Sequence, residues 1–251
     1  MCNRDQDLRF LGRLKELLEN SQGKASEDII SDVKNLYKER WDSMVDDSDI
    51  VIETPIDGLC MQNEYLFMRP LGDEDKEAYL LLKAEIVNKP VITDTGSFQR
   101  LVWKEALEHK HRYYAIYRNA DHSFLGFCGI NDIQDDPWEL AVELLKKYHH
   151  QGYGYMAMKL LIETLKKTIG QQHVLAIVSC DNFASQALMR KLGAVPHGLD
   201  ETDPRAFSKM NEENEQVLDL QDDRVLKLAE EFHVNVKDLK GRILRYMIPL
   251  E

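Results

Sequence analysis

The stretch Trp138-Glu-Leu-Ala-Val-Glu-Leu-Leu-Lys-Lys-Tyr-His-His-Gln-Gly-Tyr-Gly-Tyr-Met-Ala157 decides the fold. Its first part is an apolar run of strand length, predicting a strand over 138–146. The turn His149-His150-Gln151-Gly152-Tyr153-Gly154 follows. Ala157, Leu160, Leu161, Thr164 and Leu165 then recur at helical spacing, which predicts a helix from Tyr155 to about Ile169. A strand that passes through a glycine-bearing turn into a helix leaves the first helical N–H groups unpaired, with the positive end of the dipole behind them. Glycine has no Cβ to keep an anion away from the backbone. The amides of roughly Gln151 to Tyr155 therefore read as a phosphate cradle. The spacing is neither the Gly-x-Gly-x-x-Gly of dinucleotide folds nor the Gly-Lys-Ser/Thr of a P-loop. A plain strand-to-helix connection would use its glycines in the same way, so the turn alone leaves both readings open.

The downstream sequence adds a second block. Val174–Ser179 is β-rich and ends at Cys180-Asp181-Asn182; a helix is expected over Ala184–Leu192, stopped by Gly193. Strand, turn, helix, strand and then Asn-x-x-Ser-x-x-x-x-x-Lys-Leu-Gly resembles the core of the GNAT superfamily of acetyl-CoA-dependent N-acetyltransferases. Within it, the pattern is similar to the branch that acetylates ribosomal-protein N-termini. His149-x-x-Gly152-x-Gly154 stands where the family has Arg/Gln-x-x-Gly-x-Gly/Ala, so the first position departs from the family. Asn182, Ser185, Lys191, Leu192 and Gly193 match its second block. The resemblance covers roughly residues 64–199, with a last strand near 242–249.

The resemblance implies an α+β fold: a central, mostly antiparallel twisted sheet of about six to seven strands, flanked by helices. It also implies acetyl-CoA as co-substrate. A bulge at Leu144 and Leu145 would splay the strand and free backbone groups for the pantetheine arm. The pyrophosphate would sit on the amides of Gln151, Gly152, Tyr153, Gly154 and Tyr155, with His149 and His150 as neighbouring donors or as exposed histidines. Asn182 and Ser185 would meet the cofactor or the strand end, although asparagine is also a good helix N-cap. Many relatives carry a tyrosine acid seven residues after the asparagine, where this chain has Met189, and some carry a glutamate where it has Ile177.

Proton transfer must then fall to other groups. Glu139 and Glu143, four apart on the strand before the turn, share a face if that strand is regular, and a bulge between them would break the parity. Glu143 is expected to take the amine proton, directly or through a water; a solvent-facing carboxylate is the alternative. His109 and His111 flank a lysine near a helix end and read as surface residues. No cluster has metal-ligand spacing.

Upstream, Tyr65–Pro70 predicts a strand, and two helices are expected after Asp73 and from Ser97 to His109. A hairpin of Tyr113–Tyr117 with Phe124–Cys128 turns at Asn119-Ala-Asp121. The expected division is a helical hairpin extension over 1–45, a connector over 46–63, and an acetyltransferase domain over 64–251 with a helical insertion at about 200–240. The apolar stripes of the hairpin need cover, from the main domain or from a second copy in a homodimer.

The formal charge of −12 among 251 residues argues against nucleic acid as the main partner and suits a cationic substrate. No apolar run approaches the ~20 residues of a membrane span, and the N terminus lacks a signal core, so a cytoplasmic protein is expected. Four scattered cysteines fit reduced thiols. The expected activity is acetyl transfer from acetyl-CoA to a primary amine, on a small molecule or a protein N-terminus. The alternatives are a non-catalytic acyl-CoA-binding module working through protein partners, and an interaction protein retaining the core as scaffold.

Overall fold

In the computed structural model, residues 52–87, 96–200 and 218–250 are described, with a few isolated positions nearer the N terminus. The chain divides into two units, Met1–Val51 and Ile52–Glu251. The hairpin expected over 1–45 lies almost wholly outside the described residues, as does the stretch 201–217 of the expected insertion.

The described residues of the second unit form eight strands in two sheets. The first sheet runs in the order β1 (Met61–Gln62), β2 (Leu66–Pro70), β3 (Arg112–Arg118), β4 (Phe124–Ile130), β5 (Leu140–Leu144), with every pair antiparallel. The second places β8 (Ile243–Pro249) between β6 (His173–Ser179) and β7 (Val195–Asp200), again antiparallel. One mostly antiparallel sheet of six or seven strands was expected; the chain splits it into five and three. β1 is too short to show a pattern. β7 carries Pro196 and Gly198, which break alternation and confine it to a sheet edge.

Among the described residues, five helices flank these sheets: α1 (Lys76–Val87), α2 (Gly96–Ala106), α3 (Tyr153–Thr168), α4 (Phe183–Lys191) and α5 (Asp223–Glu231). Ala157, Met158, Leu161, Ile162 and Leu165 form the buried stripe of α3 at the spacing the sequence shows. Val225, Leu228, Ala229 and Phe232 bury α5 and its end in the same core. At the entry to α1, Asp75 is fully buried and accepts from both terminal nitrogens of Arg69 (2.8 and 2.9 Å), from the Gly72 amide (2.9 Å) and from the Tyr117 hydroxyl. These bonds compensate a buried charge and tie α1 to β2 and β3.

The connector expected over 46–63 is, from Ile52 on, part of this unit. Ile56 is fully buried, and its carbonyl accepts from the Tyr114 hydroxyl at 2.6 Å.

Candidate active site

Two parallel neighbours, β5 and β6, touch once. Glu139 bridges Leu175, whose amide donates to the Trp138 carbonyl at 2.8 Å. Beyond that bridge the strands belong to different sheets. On the other edge of β5, the Asn131 amide donates to Glu139 O and the Leu145 amide to Leu125 O, both at 2.9 Å. Backbone groups alternate edges along a strand, so the odd-numbered residues of this stretch face β4. Those of Val142 and Leu144 face the gap toward β6, where β5 has no ladder partner.

This corrects the expectation for Leu144 and Leu145. Leu144 lies on the gap edge, whereas Leu145 turns its amide to β4 and buries its side chain. The bulge also sits elsewhere. β5 pairs with β4 in unbroken register from Leu140 to Leu144, while the β3–β4 pairing skips Leu125 between Ile116↔Gly126 and Tyr117↔Phe124. Gly126 sits at that shift with φ +154°, and a Cβ there would lie 2.0 Å from the Glu143 carbonyl oxygen. Only glycine permits so close a crossing.

At the open end of the gap stands the N-terminus of α3, two residues earlier than the sequence pattern suggested. Gly152 caps it in a left-handed conformation, φ +85°, and His150 before it is at φ +58°. The first helical bond runs from the Met156 amide to the Gly152 carbonyl, so the amides of Tyr153, Gly154 and Tyr155 have no acceptor within the helix. Gly154 faces Leu144 of β5 and Leu188 of α4: a Cβ there would meet their methyl carbons at 3.6 and 3.9 Å.

The side chains expected to aid the cradle are used differently. His149 donates Nε2–H to the Leu144 carbonyl at 2.8 Å, and Gln151 donates Nε2–H to the Lys147 carbonyl at 2.7 Å. Both fix the turn, and His150 is exposed. Asn182 caps α4, its Oδ1 accepting from the Ser185 amide at 3.0 Å. Gln186, buried beside it, donates to Ser179 O and Cys180 O and holds α4 to the end of β6. Met189, at the position of the relatives' acid, is core. Two cations border the turn: Lys191, part of the second sequence block, has Nζ 4.1 Å from the Tyr155 ring centroid, and Arg118, which the sequence reading did not single out, lies over the Tyr148 ring and is paired with Asp121 at 2.5 Å.

Because β5 is regular, Glu139 and Glu143 share a face, yet their surroundings differ. Glu143 holds the Lys83 ammonium of α1 at 2.7 Å, and that ammonium also lies over the Tyr79 and Phe127 rings at 5.5 and 5.1 Å. Glu139 accepts from Asn131 Nδ2 at 2.5 Å, and Asn131 Oδ1 accepts from the Tyr113 hydroxyl at 3.0 Å. Burial raises the Glu139 pKa above the usual carboxylate range; Asp135 and Asp200 push the same way, and Asn131 and Arg245 oppose. His111 stacks on Tyr113 with centroids 4.8 Å apart and bonds the Asn131 carbonyl through Nδ1. It is therefore no surface residue, and burial lowers its pKa. Lys83 follows Tyr79 by one helical turn, a signal present in the sequence. Asn131 and Tyr113 had none, because their meeting depends on strand register.

Among the described residues no group of three His, Cys, Asp or Glu side chains could hold a metal, and no helix is long and apolar enough to cross a membrane. Parallel neighbours that part over a helix N-terminus thus bring an open strand edge and unpaired backbone amides together. The chain belongs to the GNAT acetyltransferase family: the model of the acetyltransferase (GNAT) domain matches residues 65–195, just over half of it. Solved structures agree in fold. A GNAT-family acetyltransferase from Bacillus anthracis superposes with a TM-score of 0.54 at 15% identity, over 76% of this chain and 99% of that one. A GNAT-family acetyltransferase from Bordetella pertussis gives 0.52 at 13%, over 75% and 98%. RimL, a ribosomal L7/L12 alpha-N-protein acetyltransferase in complex with coenzyme A, gives 0.53 at 14%, over 76% and 98%. No curated protein sequence matches the chain.

Proposed function

We propose that this acetyltransferase moves an acetyl group from acetyl-CoA to a primary amine, carried by a small molecule or a peptide N-terminus. The observation that carries the reading is the parting of β5 from β6 beyond Glu139, with the free amides of Tyr153, Gly154 and Tyr155 at its open end. An extended amide-bearing arm fits the gap, because Val142 offers it both backbone groups of an unfilled strand position and Leu144 its amide, the Leu144 carbonyl being held by His149. A diphosphate fits the helix N-terminus, where Gly152 and Gly154 keep side chains out of its way. The residues present thus suit coenzyme A, whose thioester supplies an activated acetyl group when bound. Lys191, beside Tyr155, adds positive charge near the anion.

Glu139 and Glu143 share one face of β5, the second paired with Lys83, and Glu105 and Glu108 stand near Tyr113 beside them. Their field, with the overall charge of −12, favours an ammonium acceptor in an aqueous compartment such as the cytoplasm. It disfavours nucleic acid. Met189 favours one competing reading, a module that binds acyl-CoA without turnover, because a buried thioether replaces the relatives' acid.

Titration calorimetry with acetyl-CoA, followed by thiol release in the presence of primary amines, tests both. Heat of binding with amine-dependent thiol release supports the transferase. Binding without release selects the module, and absence of binding removes both.

A further inference from the structure

We propose that Glu139, and not Glu143, is the carboxylate that takes the proton of the acceptor amine, with Asn131 as its positioning residue. The proposal rests on the transferase reading and adds the residue that serves it.

The two carboxylates are separated by what they already hold. Glu143 is committed to an ammonium of the chain itself, Lys83 at 2.7 Å, packed over two aromatic rings. A carboxylate neutralised in this way cannot accept a second proton without releasing its partner. Among the described residues Glu139 has no ion-pair partner, and its side-chain bond comes from the Asn131 amide, a neutral donor that orients one oxygen and leaves the other for an acceptor. Asn131 is itself fixed at both ends, by the Tyr113 hydroxyl on Oδ1 and by His111 on its carbonyl.

The position is also the right one. Glu139 forms the single bridge between β5 and β6, so it stands where the gap closes, at the end remote from the α3 amides. An arm laid in the gap with its phosphates on those amides carries its reactive end toward this point. Across the closure lie Arg245 of β8 and Asp200 of β7, with Arg245 Nη1 3.9 Å from Asp200. Arg245 Nε is buried and has no hydrogen-bond partner among the described residues, which marks the junction as polar. The charged and titratable groups around Glu139 are therefore Asp135, Asp200 and Arg245, with Tyr113 and His111 behind Asn131.

The step balances without a protein acid. Glu139 removes one proton from the ammonium. The free nitrogen attacks the thioester carbonyl, a C–N bond forms, and collapse of the tetrahedral intermediate breaks the C–S bond. The second proton leaves the nitrogen for the thiolate through water, and Glu139 returns its own to solvent. Met189 at the usual acid position is consistent with this route.

The test measures turnover against pH for the full-length protein with acetyl-CoA and tyramine, 1,4-diaminobutane or the tripeptide Ala-Ala-Ala. Glu139→Gln is expected to lower kcat about 100-fold or more and abolish the acid limb of the profile, with acetyl-CoA affinity by calorimetry unchanged. Asn131→Ala is expected to move the acid limb to higher pH, because it removes a bond that favours the ionised form; a merely structural role would leave that limb in place. Glu139→Asp is expected to recover part of kcat, which guards against a folding defect in the glutamine variant. Retention of the acid limb and of more than half of kcat in Glu139→Gln would overturn the assignment, as would transfer of both effects to Glu143→Gln. If the unaltered protein binds no acetyl-CoA, the transferase reading fails instead.

Discussion

The Lys83 ammonium lies 2.7 Å from the Glu143 carboxylate, joining α1 to β5, with each side chain about a quarter to a third exposed (24% and 30%). The pair sits over Tyr79 and Phe127, where water reaches it from one side only. Lys83→Ala leaves the carboxylate in this partly apolar site unpaired and is expected to cost about 1–3 kcal/mol, below the range of a fully buried pair. The double variant with Glu143→Ala should recover part of that loss, as read by urea unfolding of all four proteins. Additive losses would show that the two charges do not couple.

Gly126 governs how closely β4 approaches β5. A Cβ placed there meets the Glu143 carbonyl at 2.0 Å, and the backbone lies at φ +154°. Gly126→Ala therefore has to move β5 and is expected to destabilise the protein by about 3 kcal/mol or more. Because the shift displaces the edge carrying Val142 and Leu144, acetyl-CoA affinity should fall as well. An unchanged unfolding midpoint would contradict the close packing.

Gly154 offers a contrasting case. Its Cβ would make ordinary contacts with Leu144 and Leu188, so the fold has room for a methyl group there. Gly154→Ala places that methyl group beside Leu144, between the α3 amides and the open edge of β5. Thermal stability should stay within ~1 kcal/mol of the parent or rise, since glycine in a helix costs about that much itself. Acetyl-CoA affinity should drop by about 10-fold from loss of space beside the amides. Calorimetry and a melting curve on one preparation separate the two effects.

His111 makes stability depend on pH. Burial lowers its pKa below the ordinary 6.5, with the neighbouring Lys110 acting the same way, while the Asn131 carbonyl opposes. The unfolded chain therefore binds more protons than the folded one below about pH 6.5. The contribution of His111 is complete above that pH and is lost as pH falls toward the depressed folded value. His111→Phe keeps a ring against Tyr113 and removes the titration. Its unfolding free energy should vary less between pH 7 and pH 5 than that of the parent, and equal slopes would show that His111 does not titrate in this window.

Much of the scaffold was legible because its signals are local. The apolar stripe of α3, the turn at Gly152 and the cap at Asn182 depend on residues within a few positions of one another. So do β2, the β3–β4 hairpin and the stripe of α5. Elements without such signals were missed: β1 has two residues, and β7 hides its pairing behind Pro196 and Gly198. The tertiary structure also gives His149 a bond that the sequence does not show. Nothing in the order of residues shows that His149 reaches back to Leu144, because that bond needs the chain to double over itself.

The sequence by itself determined that a strand enters a helix through a glycine turn, with amides free at the join. Backbone valence and helix geometry require that wherever such a pattern folds. Only the tertiary structure decided which carboxylate is engaged and which is open. Glu139 and Glu143 are equivalent in spacing and differ only in what β3, β4 and α1 bring beside them: Asn131 and Tyr113 to one, Lys83 to the other. Cross-strand neighbours follow from register, and register is fixed by the packing of whole sheets.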